Sequence, residues 1–335
     1  MLRMTFAPDD LHRIRVMPRP DPMWELTLSV HRLRPGQPNS AAQNSWSRQI
    51  EAVTGTESPS RDLLSLLIPP QGNFPDFLTP ADSRDGFEAA LDAVLDTPAR
   101  QWQQELSGAL ESHTALPDWA PDLTSPGRSS RMLVDSALRD YFRRYVQPYW
   151  PGIQRHVAAD FTTRSGHLAA GGTGALLARL SSRIRWDWPV LEADYPVDHE
   201  IDLRGRGLTL IPSFFCAGVP VTLADPDLEP VLVYPVTGVD IRPATVTPGD
   251  PRMRALAEVV GTTRAQILAA LDDPCSTGVL ATRVERSAAS ASEQVGLLRA
   301  AGLVHTSRRG QRVRHELTVM GRRLLHAPAA PPPSH

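Results

Sequence analysis

The sequence predicts a mainly α protein of the α+β class, with a helical N-terminal domain, a small antiparallel β segment and a C-terminal module of short helices and a hairpin. Apolar residues recur at helical spacing in the first part, short alternating runs fill the second, and helical spacing returns in the third. The 335 residues are enough for two or three domains. The predicted boundaries are 1–196, 197–245 and 252–327, followed by a disordered tail at 328–335.

The N-terminal domain is expected to consist of amphipathic helices. Asp21 and Pro22 are typical of an N-cap followed by proline in the first turn, and Trp24, Leu28 and His31 then share one face. Three further segments repeat this helical spacing: Phe87, Leu91, Val94 and Leu95; Trp102, Leu106, Ala109 and Leu110; and Val134, Leu138, Tyr141 and Tyr145. We expect the prolines at 148 and 151 to end or restart the last helix.

Short runs separated by Gly, Pro and Asp distinguish the segment 197–245. They read HEIDLRG, GLTLIPSFF, PVTLAD and PVLVYPV, and they predict a small antiparallel sheet. VTPGDP, at 246–251, is interpreted as a linker. All seven tryptophans and all eight phenylalanines precede residue 216, so the bulky core is expected in the N-terminal part.

Charge is unevenly distributed along the chain. Residues 246–327 hold 12 arginines against seven acidic residues, a net charge of +5, whereas the remainder holds 23 basic against 30 acidic residues, a net charge of −7. Every basic residue is an arginine, so any phosphate contact would come from a guanidinium group. A basic end on an acidic body predicts a polyanionic partner for that end alone.

Cysteine usage and hydropathy predict a cytoplasmic protein without a membrane partner. Cys216 and Cys275 are far apart, which predicts neither a disulfide framework nor a cysteine metal cluster. The N-terminus becomes acidic before any apolar run forms, unlike a signal peptide. The longest apolar stretch has 16 residues with two prolines, too short and too broken to span a bilayer.

From residue 252 the pattern predicts a succession of short helices. RMRALAEVVG ends at a glycine, TTRAQILAALDDP points Ile267, Leu268 and Leu271 inward, and STGVLATRVER opens on cap residues. After a short turn Ser287 caps the next helix, GLVHTSR and RVRHELT flank an Arg-Gly-Gln hairpin tip, and VMGRRLLHA forms a terminal helix. Two short helices joined by a tight turn, followed by an arginine-rich hairpin, are typical of a winged helix-turn-helix.

The helix that begins at Ser287 carries very small side chains in its first turns. Ala291, Val295 and Leu298 share the face predicted to be buried, which leaves a bare outer face that could lie deep in the DNA major groove. Serine hydroxyls can reach phosphates or base edges, and Glu293 can accept a hydrogen bond from cytosine N4. The predicted DNA-binding residues are Thr277, Ser287, Ala289, Ser290, Ser292, Glu293, Gln294, Arg308, Arg309, Arg312 and Arg314.

These features together resemble the winged-helix regulators of the ArsR type. The similarity rests on the Ser-Thr opening of the first helix, Ser292 in the recognition helix, the LLRAAGLV exit and the Arg-Gly wing tip, and it covers about a quarter of the chain. The longer N-terminal part resembles a class of multi-domain regulators from GC-rich bacteria whose effector is unassigned. The resemblance implies a homodimer that binds duplex DNA.

Three residues depart from the family pattern. Its Cys-x-Cys metal site on the first helix is reduced here to Cys275, just before that helix, so metal sensing through this site is not expected. Arg286 stands where an apolar residue usually closes the turn, which predicts different packing there. Glu293 brings a negative charge near phosphates, which implies either base selectivity or weak binding.

Other motifs are interpreted as structural. DYPVDHEID gathers Asp194, Asp198, His199, Glu200 and Asp202, and a solvated strand entry is favoured over a metal site. GGTGALLARL lacks the ending of a phosphate loop and is expected to start a helix. Cys216 is interpreted as a small buried residue.

The sequence therefore predicts a transcriptional repressor that needs no cofactor, metal or catalytic residue. Its N-terminal part would supply dimerisation and a small-molecule effector site lined by tryptophan-rich helices. The module contains no Phe, Trp or Tyr on which single-stranded bases could stack, which favours duplex DNA. The alternatives are a non-enzymatic module whose winged helix docks another protein and, less favoured, an enzyme with an appended DNA-binding module.

Overall fold

The chain divides into two compact units. Unit 1 comprises residues 1–84 and 89–244, and unit 2 comprises residues 245–335 with 85–88. The computed structural model describes residues 1–34, 36–54, 58–70, 73–113, 116–117, 120–236, 241, 251–271, 274–284, 286–309 and 312–325. The linker before 251, the hairpin tip at 310–311 and the tail at 328–335 lie outside the described residues. Among those described, no helix combines the length and apolarity needed to cross a membrane.

Helices and short strands alternate through residues 1–244. The helices are α1 Pro8–Leu11, α2 Pro22–Arg32, α3 Ala41–Thr54, α4 Pro59–Leu67, α5 Phe87–Leu95, α6 Ala99–Glu111, α7 Arg128–Tyr141 and α8 Trp150–Leu177. The strands are β1 Leu2–Thr5, β2 Arg15–Val16, β3 Ile184–Asp187, β4 Val190–Ala193, β5 His199–Asp202, β6 Thr209–Ser213 and β7 Val231–Pro235. Short 3₁₀ turns lie at Asp76–Leu78, Ala81–Asp85 and Ala120–Thr124.

The C-terminal module, residues 252–327 in the sequence, follows with five helices and one hairpin among its described residues. They are α9 Pro251–Val260, α10 Thr262–Ala270, α11 Thr277–Arg283, α12 Ala288–Ala300, β8 Val304–Arg309, β9 Arg312–Leu317 and α13 Val319–Leu325. The mainly α, α+β prediction is therefore confirmed, and so is the glycine stop after α9, where Gly261 has φ 88°.

The predicted helical faces of unit 1 form much of its core. The Asp21 carboxylate accepts hydrogen bonds from the backbone N–H groups of Met23 and Trp24, both at 3.1 Å, which confirms the N-cap of α2. The apolar residues expected on α6 and in the α7 segment are all buried. The indole of Trp102 donates to the Leu123 carbonyl at 2.9 Å, so even the largest side chain of α6 has its polar atom satisfied.

The prediction of a self-contained antiparallel sheet at 197–245 is wrong. β5 pairs parallel with β1 at the edge of a four-stranded sheet of order β3-β4-β1-β5. β6 pairs parallel with both β2 and β7 in a second sheet of order β2-β6-β7. Three of the four short runs are strands, whereas PVTLAD contributes only an isolated antiparallel bridge between Val221 and Val233. The partner of β5 lies about 200 residues away, beyond the reach of local pattern.

Further elements of unit 1 were not anticipated from the sequence. Strands β1 to β4 and helices α3 and α4 lie in the region expected to contain mainly the four helices and their loops. α3 begins in a stretch rich in Gly, Pro and Asn, a composition typical of loops, yet Trp46 and Ile50 are buried one turn apart. Their i, i+4 spacing was the available signal.

The expected break at the two prolines is confirmed. After α7 the chain passes through a π-helical turn, Phe142–Val146, and a 3₁₀ turn, Gln147–Tyr149, before Pro151 occupies the first turn of α8. α8 is itself interrupted at Gly171 and Gly172, whose dihedrals are not helical. GGTGALLARL therefore restarts a helix, as expected.

The core of the C-terminal module is small and aliphatic. It contains the residues expected to point inward from α10, together with Leu280 and Val284 from the next helix and turn and Val295 and Leu298 from α12. Gly302 ends α12 with φ 71°, the left-handed conformation that favours glycine. A Cβ at Gly321 would lie 2.1 Å from the Leu303 carbonyl oxygen, so α13 approaches the end of α12 too closely for any side chain.

Candidate nucleic-acid interface

Helix α12 has one buried face and one bare exposed face. Ala291, Val295 and Leu298 are 0%, 3% and 2% exposed, which confirms the predicted inner face. Outside it, Ala289, Ser292 and Glu293 are exposed, whereas Ser290, Gln294 and Gly296 are half-buried. The exposed surface near the start of the helix is therefore formed by small side chains and one carboxylate.

Serine caps hold the starts of the two consecutive helices α11 and α12. The Ser287 hydroxyl accepts a hydrogen bond from the Ser290 N–H at 3.2 Å, and the Ser276 hydroxyl accepts one from the Val279 N–H at 3.4 Å. Ser287 is exposed, so its hydroxyl hydrogen remains available to an acceptor in solution. The cap fixes the N-terminal turn of α12 while leaving its surface open.

The turn between α11 and α12 is closed by backbone and by Val284. The Arg286 N–H donates to the Ala281 carbonyl at 2.9 Å, and the Val284 side chain is buried. Arg286 itself is exposed, which explains why an arginine is tolerated where an apolar residue was expected. Arg283 ties α11 to α10 by donating to the Ala270 carbonyl at 2.9 Å.

The hairpin β8–β9 displays its arginines on two faces. Ser307 lies opposite Arg314, whereas Arg308 lies opposite Val313 in the next pair, so Arg308 and Arg314 are on opposite sides of the ribbon. Arg308 is exposed and Arg314 is half-buried. The side chains of Arg309 and Arg312 lie outside the described part of the chain. The strand register therefore does not place the four predicted arginines on one face of the hairpin.

A buried histidine joins the first helix of the motif to the hairpin. His315, on β9, is 4% exposed. Its Nε2 is 2.9 Å from the Thr277 hydroxyl, and its Nδ1 is 2.9 Å from the Thr306 hydroxyl. Its backbone exchanges two hydrogen bonds with Cys275, just before α11. Burial, and then the charge of Arg299, lower the pKa of His315, which favours the neutral ring.

His315 was not among the residues predicted from the sequence, and its contact with Thr277 changes the role assigned to Thr277. The Thr277 hydroxyl was predicted to bind DNA, but here it also holds the histidine that anchors the hairpin. The alternation of RVRHELT, which puts Val313, His315 and Leu317 on one face, was the signal that could have revealed the histidine.

The other motifs weighed from the sequence lie in unit 1. Asp194 pairs with Arg183 at 3.3 Å, and Asp198 with the N-terminal amino group at 2.9 Å. Within the described ranges, no group of three His, Cys, Asp or Glu side chains is arranged to hold a metal ion. Cys216 is buried, as predicted, and burial raises the pKa of its thiol.

Residues 262–307 match a family model described as a helix-turn-helix domain. The matched stretch runs from the start of α10 through α11 and α12 into β8, so it contains both helices of the predicted motif and their turn. Domains of this kind are typical of DNA-binding regulators, which place the second helix of the pair against DNA. No curated protein and no solved structure matches the chain.

Proposed function

We propose that this protein is a sequence-specific transcriptional regulator that binds duplex DNA through its C-terminal module. The observation that carries the proposal is the bare, exposed start of α12 above a fully buried apolar face, within the helix-turn-helix domain. Side chains no larger than serine let a helix backbone approach the floor of the major groove closely, which larger side chains would prevent.

The polar residues of α12 supply a means of recognition. The hydroxyls of Ser287, Ser290 and Ser292 can donate to phosphate or base acceptors, and Glu293 can accept from the amino group of cytosine. A carboxylate repels phosphate, so Glu293 is useful only when it faces a base donor. It would therefore contribute selectivity rather than overall affinity.

The hairpin supplies the sequence-independent part of the binding. Exposed Arg308 and half-buried Arg314 can contact two different stretches of backbone, because they lie on opposite sides of the ribbon. The module has no Phe, Trp or Tyr on which an unpaired base could stack, which supports duplex DNA as the ligand.

The finer features of the proposal follow the resemblance to ArsR-type regulators. A cytoplasmic homodimer would place two α12 helices on a near-palindromic operator, and it would act as a repressor. The N-terminal residues would supply dimerisation and bind a small-molecule effector.

Selection of bound duplexes from a random pool tests this function, followed by titrations at several salt concentrations. We expect enrichment of a near-palindromic site, and an affinity that falls steeply as salt rises because phosphate contacts release counterions. Enrichment of no sequence, with a salt-independent affinity, would contradict the proposal and favour a module that docks another protein.

Variants divide the interface into its two parts. Replacing Arg308 or Arg309 by alanine should weaken binding to all sequences alike. Replacing Ser290 by alanine or Glu293 by glutamine should instead change the preferred sequence, by ~1–3 kcal/mol per base contact. If all four substitutions acted identically, the assignment of α12 as the recognition helix would be wrong.

A further inference from the structure

Unit 1 contains a half-open cavity of about 280 Å³ between its helices and the end of its parallel sheet. Its apolar lining includes Trp24, Phe77, Ile211, Leu228 and Val231. The volume lies just below the ~300–1,000 Å³ of pockets for drug-sized molecules, so it suits a smaller metabolite. Mixed apolar walls with a few polar groups are typical of ligand sites.

A deeply buried carboxylate with a spare oxygen lines this cavity. Asp21 is 3% exposed, and all the hydrogen bonds to its carboxylate converge on Oδ1, from the N–H groups of Met23 and Trp24 and from the Ser83 hydroxyl at 2.5 Å. Its Oδ2 makes no hydrogen bond with any described residue. Burial raises the pKa of this carboxyl, even though the three hydrogen bonds and the charge of Arg84 act in the opposite direction.

Negative charge predominates among the other lining residues. Asp76 is buried and accepts from the N–H groups of Ala224 and Asp225, but from no cation. Asp96 is exposed, and its carboxylate has no hydrogen-bond partner in the described part of the chain. Arg84 also lines the cavity, but its Nη1 is already 2.9 Å from both carboxylate oxygens of Glu229.

We propose that this cavity is a binding site for a small organic cation, an amine carried on a compact apolar body. The ammonium group would donate to the free oxygen of Asp21 and lie against the aromatic wall of Trp24 and Phe77, whose faces attract cations. The apolar body would fill the space between Ile211, Leu228 and Val231. An anionic ligand would meet four carboxylates and one arginine that is already paired.

The site deepens the proposed function, because it gives the expected effector a place and a chemical class. The cavity proposal depends on the proposed function only where it calls the ligand an effector. Binding to the cavity is measured without DNA, so the two proposals fail separately.

The test uses three probes of similar size and different charge on the full chain. Benzylamine is a cation at neutral pH, benzyl alcohol is neutral and benzoate is an anion. Calorimetric titration or saturation-transfer NMR should give an affinity for benzylamine about tenfold or more above that for benzyl alcohol, as expected for a charge-assisted hydrogen bond. Benzoate should bind more weakly than the alcohol.

Two variants identify the site. Ala93 lines the cavity from α5, and Ala93→Leu should weaken benzylamine binding by about tenfold or more by filling the space. Ala159→Leu, on an exposed position of α8, is the matched control and should bind like the original chain. Asp21→Asn retains a good N-cap, and it should remove the preference for the amine over the alcohol.

Three results would overturn the proposal: equal binding of all three probes, no binding of benzylamine at millimolar concentration, or full affinity in a folded Ala93→Leu chain. Tryptophan fluorescence checks that each variant is folded. A chain that selects duplex DNA but fails this test loses only the cavity site. A chain that binds benzylamine but no duplex retains the site and loses the regulatory function.

Discussion

Unit 1 and the C-terminal module use different chemistry to build their interiors. The first buries aromatic rings and many polar groups, among them Asp21, Glu25, Arg32 and Asp76. The module buries aliphatic side chains, and His315 is its only buried charged or titratable side chain besides Cys275 among the described residues. A large interior that contains polar groups can form a cavity whose polar atoms bind a ligand. A small aliphatic core is unsuited to such a cavity, so the module would recognise a ligand through its surface.

The largest expected effect on stability comes from removing an aromatic side chain from the core of unit 1. Trp102 is fully buried, stacks on Phe77 with centroids 5.0 Å apart, and lies beneath the Arg131 guanidinium. Trp102→Ala should lower the free energy of unfolding of unit 1 by ~3–5 kcal/mol, because it removes the ring and leaves a cavity.

Tryptophan fluorescence during denaturant unfolding measures this loss, because all the tryptophans precede the C-terminal module. Met132→Ala is the control, since that side chain is 60% exposed on α7, and it should change stability by no more than ~0.5 kcal/mol. Equal stability of the two variants would contradict the account of the unit 1 core.

Local pattern predicted the C-terminal module much better than unit 1. Its helices follow one another in sequence, with serine caps at the starts of α11 and α12 and a glycine stop after α9, and its hairpin pairs neighbouring strands. Ser287, Gly261 and Ala291 could therefore be interpreted from their neighbours alone. In unit 1, β1 pairs with strands nearly 200 residues later, and no local signal specifies such a partner.

Local sequence pattern has the same limit for the candidate sites, because it cannot reveal contacts between residues distant in sequence. The exposed face of α12 could be predicted because it depends on helical spacing within one element. The contact of His315 with Thr277 and the cavity beside Asp21 depend on residues that are distant in sequence, so neither could be found there.

A buried glutamate provides the second prediction. Glu25 accepts from the Ser213 hydroxyl and from the N–H groups of Phe214 and Phe215, yet burial raises its pKa from 4.5 to about 7. Folded unit 1 therefore holds a proton that the unfolded chain releases, and stability falls as pH rises from 4.5 to about 7.

Glu25→Gln isolates this effect. Between those pH values, the original chain should lose about 3 kcal/mol of unfolding free energy relative to the variant. Urea unfolding followed by tryptophan fluorescence at several pH values gives the difference. Parallel stability curves for the two chains would show that folding does not raise the pKa of Glu25.

The smallest expected effect concerns His315, and its pH dependence is opposite to that of Glu25: stability falls as pH decreases. Its lowered pKa means that the unfolded module binds a proton more readily, so the module loses stability as pH falls through the unfolded value of 6.5. His315→Gln should remove this dependence, and it should cost ~1–3 kcal/mol because the Thr277 and Thr306 hydroxyls lose a partner. Amide hydrogen exchange in α11 and β9 measures both, and an unchanged pH dependence in the variant would refute the assignment.

The close approach of α12 to duplex DNA is tested most directly by adding bulk to its bare face. Ala289→Trp and Ala300→Trp place the same side chain at exposed positions near the two ends of the helix. Titration of each variant with the selected duplex should give an affinity lowered by about tenfold or more at Ala289 and unchanged at Ala300. Equal affinities for both variants and the original chain would contradict the account.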